Sequence, residues 1–134
     1  MKKERKRLVK KLDTLCRQIL LIRDLCHGDL FRCISCRQFL PINVAQVGHY
    51  ISRRYESVRW DLQNIHLQCA SCNKWLNGNP VEYRKSLVAM YGVQEVERLE
   101  KFYRESPCYS VFGLSQMVIE YKEKLRNVAA GKGA

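Results

Sequence analysis

No stretch of this chain stays apolar for the roughly 20 residues that crossing a bilayer takes, so a membrane-spanning helix is not expected. The basic first residues lack the apolar run and small-residue cleavage site of a signal peptide, and export is not expected. Acidic residues are scarce. Thirteen Asp and Glu stand against 24 Lys and Arg, a formal net charge of +11 over 134 residues, and that excess favours a polyanionic partner. Histidine is scarcer still, with only His27, His49 and His66. No internal repeat or second domain is visible, and the length suits one compact domain with a modest core.

Cysteine, by contrast, is abundant, and four of the seven form two Cys-x2-Cys pairs: Cys33 and Cys36 in CISC, Cys69 and Cys72 in CASC. Each pair offers two thiolates from one tight turn, and two such turns complete a tetrahedral zinc shell. In a chain without an export signal, this spacing argues for a reducing compartment and metal thiolates rather than disulfides. Four thiolates leave no open position on the metal, so the zinc is expected to be structural. Cys16 and Cys26 fall at or near helical spacing and read as structural.

The flanks read as helical. Residues 2 to about 26 form one helix, with Leu8, Leu12, Leu15, Ile19 and Ile22 recurring at intervals of four and three. Its seven Lys or Arg among the first eleven residues are either a solvated face or an arm on phosphate. Its apolar seam either packs on the domain, the default, or pairs with a second copy. His27-Gly28-Asp29 breaks it, and His27 reads as a linker residue. Pro41 to Ser52 holds an extended segment anchored by Val44, Val47, Tyr50 and Ile51. Tyr55 to Trp60 reads as a loop. Asn64 to Gln68 alternates as a strand, with Ile65 and Leu67 facing one way and Asn64, His66 and Gln68 the other. Cys72 to Leu76 reads as a short helix closed by Asn77-Gly78. Asn79 is placed to cap the next helix, with Pro80 at its first position and Glu82 three residues on. Gly92 ends it. A further segment from Val93 runs to Ser106-Pro107, and Ser110 caps a last helix striped by Val111, Leu114, Val118, Tyr121 and Leu125. Trp60, Trp75 and Tyr50 read as packing residues. The tail from residue 129 is expected to be disordered.

The spacing puts a β-hairpin and then a helix within the cysteine frame, with His49 on the first strand, Asn64 opening the second and Asn73 starting the helix. The order His, Asn, Asn fits a ββα-metal, or HNH-type, nuclease. An imidazole near neutral pKa can take a proton from water. An Asn across the hairpin can orient it. An Asn amide oxygen on the helix is a hard ligand suited to Mg²⁺ or Mn²⁺, which would stabilise the phosphorane charge and leaving oxygen. The expected fold class is therefore α+β and mostly helical. An N-terminal helix (1–28) and C-terminal helices (80–128) flank a zinc-stabilised ββα-metal core (29–79), with a flexible tail at 129–134.

GHY, RWDLQNIHLQCASCN and NGNPVEYR resemble the NinG/Rap recombination proteins of lambdoid phages, from CISC to about YKEKLRN. The resemblance implies a nuclease acting on branched DNA, including Holliday junctions and D-loops, in phage recombination within the host cytoplasm. It implies His49 as general base, Asn64 as its orienter and Asn73 as catalytic-metal ligand. Relative to longer family members, an N-terminal cysteine-bearing segment is expected to be absent. Many HNH sites carry a metal-binding Asp immediately before the base, and here Gly48 stands there. His66 and Asp61 are further ligand candidates. Arg53, Arg54 and Arg59 flank the site as candidate phosphate contacts, with Lys74 and Arg84 extending that surface. A homodimer joined by the N-terminal helix would supply two nicks. The rival readings are a noncatalytic zinc module that binds nucleic acid and a recombination adaptor.

Overall fold

A computed structural model describes residues 2–105 and 108–131. Two small antiparallel hairpins lie between one long N-terminal helix and three C-terminal helices. Helix α1 spans Lys2–Arg23 and buries Leu8, Leu12, Leu15, Cys16, Ile19 and Leu20. Most of that face packs with Leu114, Val118, Tyr121 and Val128 of α5 (Val111–Ala129), and with Trp60, Ile65 and Leu67 between them. Each fully buried aliphatic side chain contributes about 1.5–3 kcal/mol here. The seam is thus covered within the chain, as the default packing expected. Helix α1 also ends earlier than expected, because its next residues are drawn into sheet contacts. Leu25 bridges Phe31, and the Cys26 N–H donates to the Leu30 carbonyl at 2.7 Å.

The hairpin that carries the first cysteine pair consists of β1 (Leu30–Arg32) and β2 (Phe39–Pro41), paired Phe31 to Leu40. Neither three-residue strand is legible as a period-two pattern. A 3-10 turn at Ile42–Val44 leads into the second hairpin, and Val44 is exposed there rather than an anchor. That hairpin pairs β3 (Gln46–His49) with β4 (Ile65–Gln68), placing Gly48 opposite His66 and His49 opposite Ile65. Strand β4 is buried on both faces, beyond the half-burial its alternation suggested. The core against α1 covers Ile65 and Leu67. On the other face, tyrosines of α3 (Pro80–Tyr91) cover His66. Arg23 at the end of α1 donates to the carbonyls of Leu62 and Ile65 at 2.6 and 2.8 Å, satisfying backbone acceptors that would otherwise be stranded there.

The expected loop from Tyr55 to Trp60 contains a one-turn helix, α2 (Glu56–Arg59). Glu56 holds it against α1 through Arg5. After β4, Ser71–Trp75 forms a π-helical turn, and Gly78, at φ 87°, bonds back to the Cys72 carbonyl at 2.7 Å. Asn79 precedes α3 in the left-handed region at φ 45° and makes no cap; its amide goes instead to a cysteine sulfur. Gly92 ends α3, and α4 (Val93–Phe102) follows directly. Ser110 caps α5 as expected, accepting the Gly113 N–H at 3.0 Å. Trp60 is buried, but Trp75 is 81% exposed, a correction to its expected packing role. Of the expected tail, Ala129 is still helical and Ala130 donates back to Arg126. Residues 132–134 and the Ser106-Pro107 break lie outside the described residues.

Candidate functional site

The two cysteine turns meet at one point. The sulfurs of Cys33, Cys36, Cys69 and Cys72 all lie within 4.8 Å of one another, with Cys36 and Cys69 at 3.9 Å. A tetrahedral zinc with bonds near 2.3 Å requires sulfurs about 3.8 Å apart. The sulfurs also accept hydrogen bonds suited to thiolates: Cys69 N–H to Cys33 at 3.4 Å, Cys72 N–H to Cys69 at 3.5 Å and Asn79 Nδ2 to Cys72 at 3.6 Å. Burial alone would push the Cys33 thiol up, but backbone N–H groups of Cys69, Cys36 and Ser35 outweigh it and bring the group down to about 7. Four cysteines are therefore positioned to bind a metal ion, consistent with a structural zinc. Such an ion would join the β1–β2 hairpin to the end of β4 and the π turn.

Beside this clamp, β3, α1 and the π turn line an open cavity of about 710 Å³ whose polar wall includes Asp13, Arg17, Gln46, His49, Arg53 and Asn73. His49 Nε2 lies 3.0 Å from the Arg59 carbonyl oxygen. A carbonyl only accepts, so Nε2 carries the proton and Nδ1 keeps its lone pair. Burial lowers the imidazole pKa to about 4, and the neighbouring Arg59 and Arg53 cations push the same way. The ring is neutral at physiological pH.

Asn64 was expected to orient this imidazole directly. Its side chain instead stitches the loop that follows β3. Oδ1 accepts the Ile51 N–H at 2.8 Å, and Nδ2 donates to the carbonyls of Ile51 and Val58 at 3.0 Å each. The orienting atom is the Arg59 carbonyl, and Asn64 acts on it through the path of the loop. The Arg59 guanidinium is also occupied. It pairs with Asp13 of α1 through Nε and Nη2 at 3.1 and 2.7 Å, and Trp60 Nε1 donates to the same carboxylate at 2.8 Å. Asn73 donates through Nδ2 to Gln46 Oε1 at 2.9 Å. Its Oδ1 accepts no hydrogen bond among the described residues.

Other expected site residues fall elsewhere. His66 is not placed as a ligand of this cavity: Tyr83 and Tyr91 hydroxyls engage its two nitrogens at 3.2 and 2.8 Å, and burial lowers it to about 3. Asp61 serves its loop, accepting the Gln63 N–H at 2.9 Å and pairing with Arg98 at 3.2 Å. Of the candidate phosphate contacts, Arg53 lines the cavity, Arg54 lies 4.9 Å over the Tyr55 ring and Lys74 is exposed. Arg59 is tied to Asp13 and Arg84 to Glu100, so neither is a free cation. Sequence reasoning missed Asp13, Arg17 and Gln46. The first two sit four apart on the polar side of α1, a helical signal, but nothing local links them to β3 and the residues beyond it.

Gly48 has a steric reason. A Cβ there would lie 1.8 Å from Gln68 Oε1. Gln68 is fully buried, and its Nε2 is committed to Ser35 Oγ and the Gly78 carbonyl at 2.8 Å each. The amide therefore occupies the space that a side chain at position 48 would take. Gly48→Ala is expected to displace it and cost about 1–3 kcal/mol, measured as a lower urea midpoint with the slope retained. An unchanged midpoint would mean that the amide yields without loss.

The chain belongs to the bacteriophage lambda NinG family: the model described as "Bacteriophage Lambda NinG protein" matches residues 1–130, so the match includes α1 as well as the cysteine frame. Protein ninG of Salmonella phage P22 is 31% identical over 99 residues, 72% of this chain and 47% of that protein. Protein ninG of Escherichia phage lambda is 30% identical over the same shares. The chain thus spans about half the length of the curated relatives it matches. No solved structure matches it. Among the described residues, no helix is long and apolar enough to cross a membrane.

Proposed function

We propose that this chain is a metal-dependent, structure-selective DNA endonuclease with an HNH-type site, cutting branched intermediates such as Holliday junctions and D-loops during phage recombination in the host cytoplasm. The observation that carries the reading is His49. It is a neutral imidazole with Nε2 bonded to a backbone carbonyl, and it lines the same cavity as the unbonded amide oxygen of Asn73. In this reading His49 Nδ1 accepts a proton from the attacking water. The Asn73 oxygen would hold Mg²⁺ or Mn²⁺, which when bound stabilises charge on the phosphorane and leaving oxygen. Arg53 and Arg17 bind the flanking phosphates, and the products carry 5′-phosphate and 3′-hydroxyl ends.

A noncatalytic zinc module that binds nucleic acid is favoured by one feature: Asp13, a carboxylate in the cavity wall, is already engaged by Arg59 and Trp60. Labelled four-way junction, flap, D-loop and linear duplex separate the two readings. The nuclease reading expects Mg²⁺-dependent cutting that favours the branched substrates. It also expects Asn73→Ala to keep bound zinc and thermal stability while losing at least about tenfold in cleavage rate. Binding without cutting by the wild-type chain selects the module. Unfolding of Asn73→Ala would show that this residue supports the clamp rather than the chemistry.

A further inference from the structure

Helix α1 carries charge in a place that helix physics disfavours. Five of the six residues from Lys2 to Arg7 are basic, at the helix end whose free N–H groups already present partial positive charge. Acidic residues would stabilise that end, and only Glu4 is present. Between positions 2 and 17 the helix has eight basic and two acidic residues, so it holds more than half of the net charge. Charge elsewhere is mixed: α4 interleaves Glu95, Glu97 and Glu100 with Arg98 and Lys101, and its cations are paired.

The arrangement of these charges is directional. At 3.6 residues per turn, Lys2, Lys6, Lys10, Asp13 and Arg17 fall within an arc of about 80°. Most of the buried seam, Leu8, Leu12, Leu15 and Ile19, lies on the other side of the helix. Asp13 and Arg17, at the far end of the arc, form part of the His49 cavity wall. Lys2, Lys6 and Lys10 are exposed and make no ion pair among the described residues. The acid in the row, Asp13, is neutralised by Arg59. The result is an unpaired line of cations about 22 Å long, ending at the candidate reaction centre.

We propose that this ridge of α1, from Lys2 through Lys6 and Lys10 to Arg17, is a phosphate track seating a duplex DNA arm that runs outward from the His49 cavity. The inference rests on the DNA-cleaving reading above and assigns α1 its part in it. The ridge spans about two thirds of a duplex turn of roughly 34 Å, and each lysine on a phosphate releases counterions.

The test is a salt titration of binding to a fluorescent four-way junction and to linear duplex, without Mg²⁺ so that nothing is cut. The variant is Lys2→Gln with Lys6→Gln and Lys10→Gln, and the control is Lys101→Gln with Lys122→Gln and Lys124→Gln. The ridge variant should lower the slope of log K against log salt by about 2–3, with affinity down at least tenfold at low salt. Its Tm should be unchanged or higher, because cations leave the helix N-terminus. The control should lose distinctly less. An unchanged slope, or a control that loses as much, overturns the track. Binding and slope loss without any Mg²⁺-dependent cutting would leave the track standing and remove only the chemistry. Failure of the wild-type chain to bind any DNA would remove both.

Discussion

His49→Ala is expected to lower cleavage of a four-way junction by roughly 10²–10⁴-fold, the range typical for loss of a positioned general base. Bound zinc should stay at wild-type level. The substitution removes the donor to the Arg59 carbonyl, so a modest fall in Tm is also expected, on the order of one lost hydrogen bond, about 1 kcal/mol. DNA binding should survive, since the cations around the cavity remain. A variant that cuts as fast as wild type would exclude the mechanism.

The wild-type pH profile gives an independent check. Burial and adjacent arginines place the free imidazole near 4, below its ordinary 6.5. The unprotonated form is therefore already complete at neutral pH, and kcat/KM should fall only as pH drops toward 4. Bound phosphate would raise the pKa, so the limb in kcat should lie above the limb in kcat/KM. An acid limb in kcat/KM centred at 6.5 or higher would contradict the buried placement of this ring.

Cys69→Ser, or treatment with a strong zinc chelator, is expected to unfold the clamp and with it most of the chain's cooperative structure. Structural zinc in small sites contributes apparent binding free energies of about 10–16 kcal/mol. Small domains have total stabilities of about 5–15 kcal/mol, so the metal term is of the same order as the whole. The geometry explains why the loss would spread. Cys69 follows β4, Cys72 lies on the π turn with Asn73, and Cys33 and Cys36 sit on the first hairpin, so one bound ion would hold three otherwise short elements. Metal release, loss of the near-ultraviolet circular dichroism signal and a collapsed unfolding transition should coincide. Cys108→Ser, at an exposed thiol outside the cluster, is the control and should change none of these. A metal-free Cys69→Ser chain with the wild-type Tm would show that the core around α1 and α5 stands without the clamp.

How much of this was legible in the sequence depended on how local each cause was. The cysteine pairs were readable because each is a single turn. The heptad-like seam of α1 was readable because helical spacing announces burial whatever lies opposite, although it could not say that α5 would cover it. The hairpin holding His49 was visible because Ile65 and Leu67 alternate. The first hairpin, β1 with β2, was not, because three-residue strands leave no period to detect. Trp75 was misplaced because a large aromatic on a short helix reads as core, and only the π turn leaves it exposed. Asn79 has the composition of a cap, but its left-handed backbone sends the amide to Cys72. Arg59 was assigned to phosphate by proximity. Its pairing with Asp13, forty-six positions away, and the role of its main-chain oxygen have no trace in residue type.

That main-chain oxygen makes the site sensitive to a kind of change that substitution does not produce. Every residue has a carbonyl, so exchanging the side chain at position 59 leaves the atom facing His49 chemically the same. Adding or removing one residue between Ile51 and Trp60 would offer a different carbonyl, or an N–H, and the imidazole could then hold its proton on the wrong nitrogen. Asn64 grips both ends of that segment, at Ile51 and Val58, and acts as a gauge of its length. The segment should tolerate variation in spelling far better than insertion or deletion.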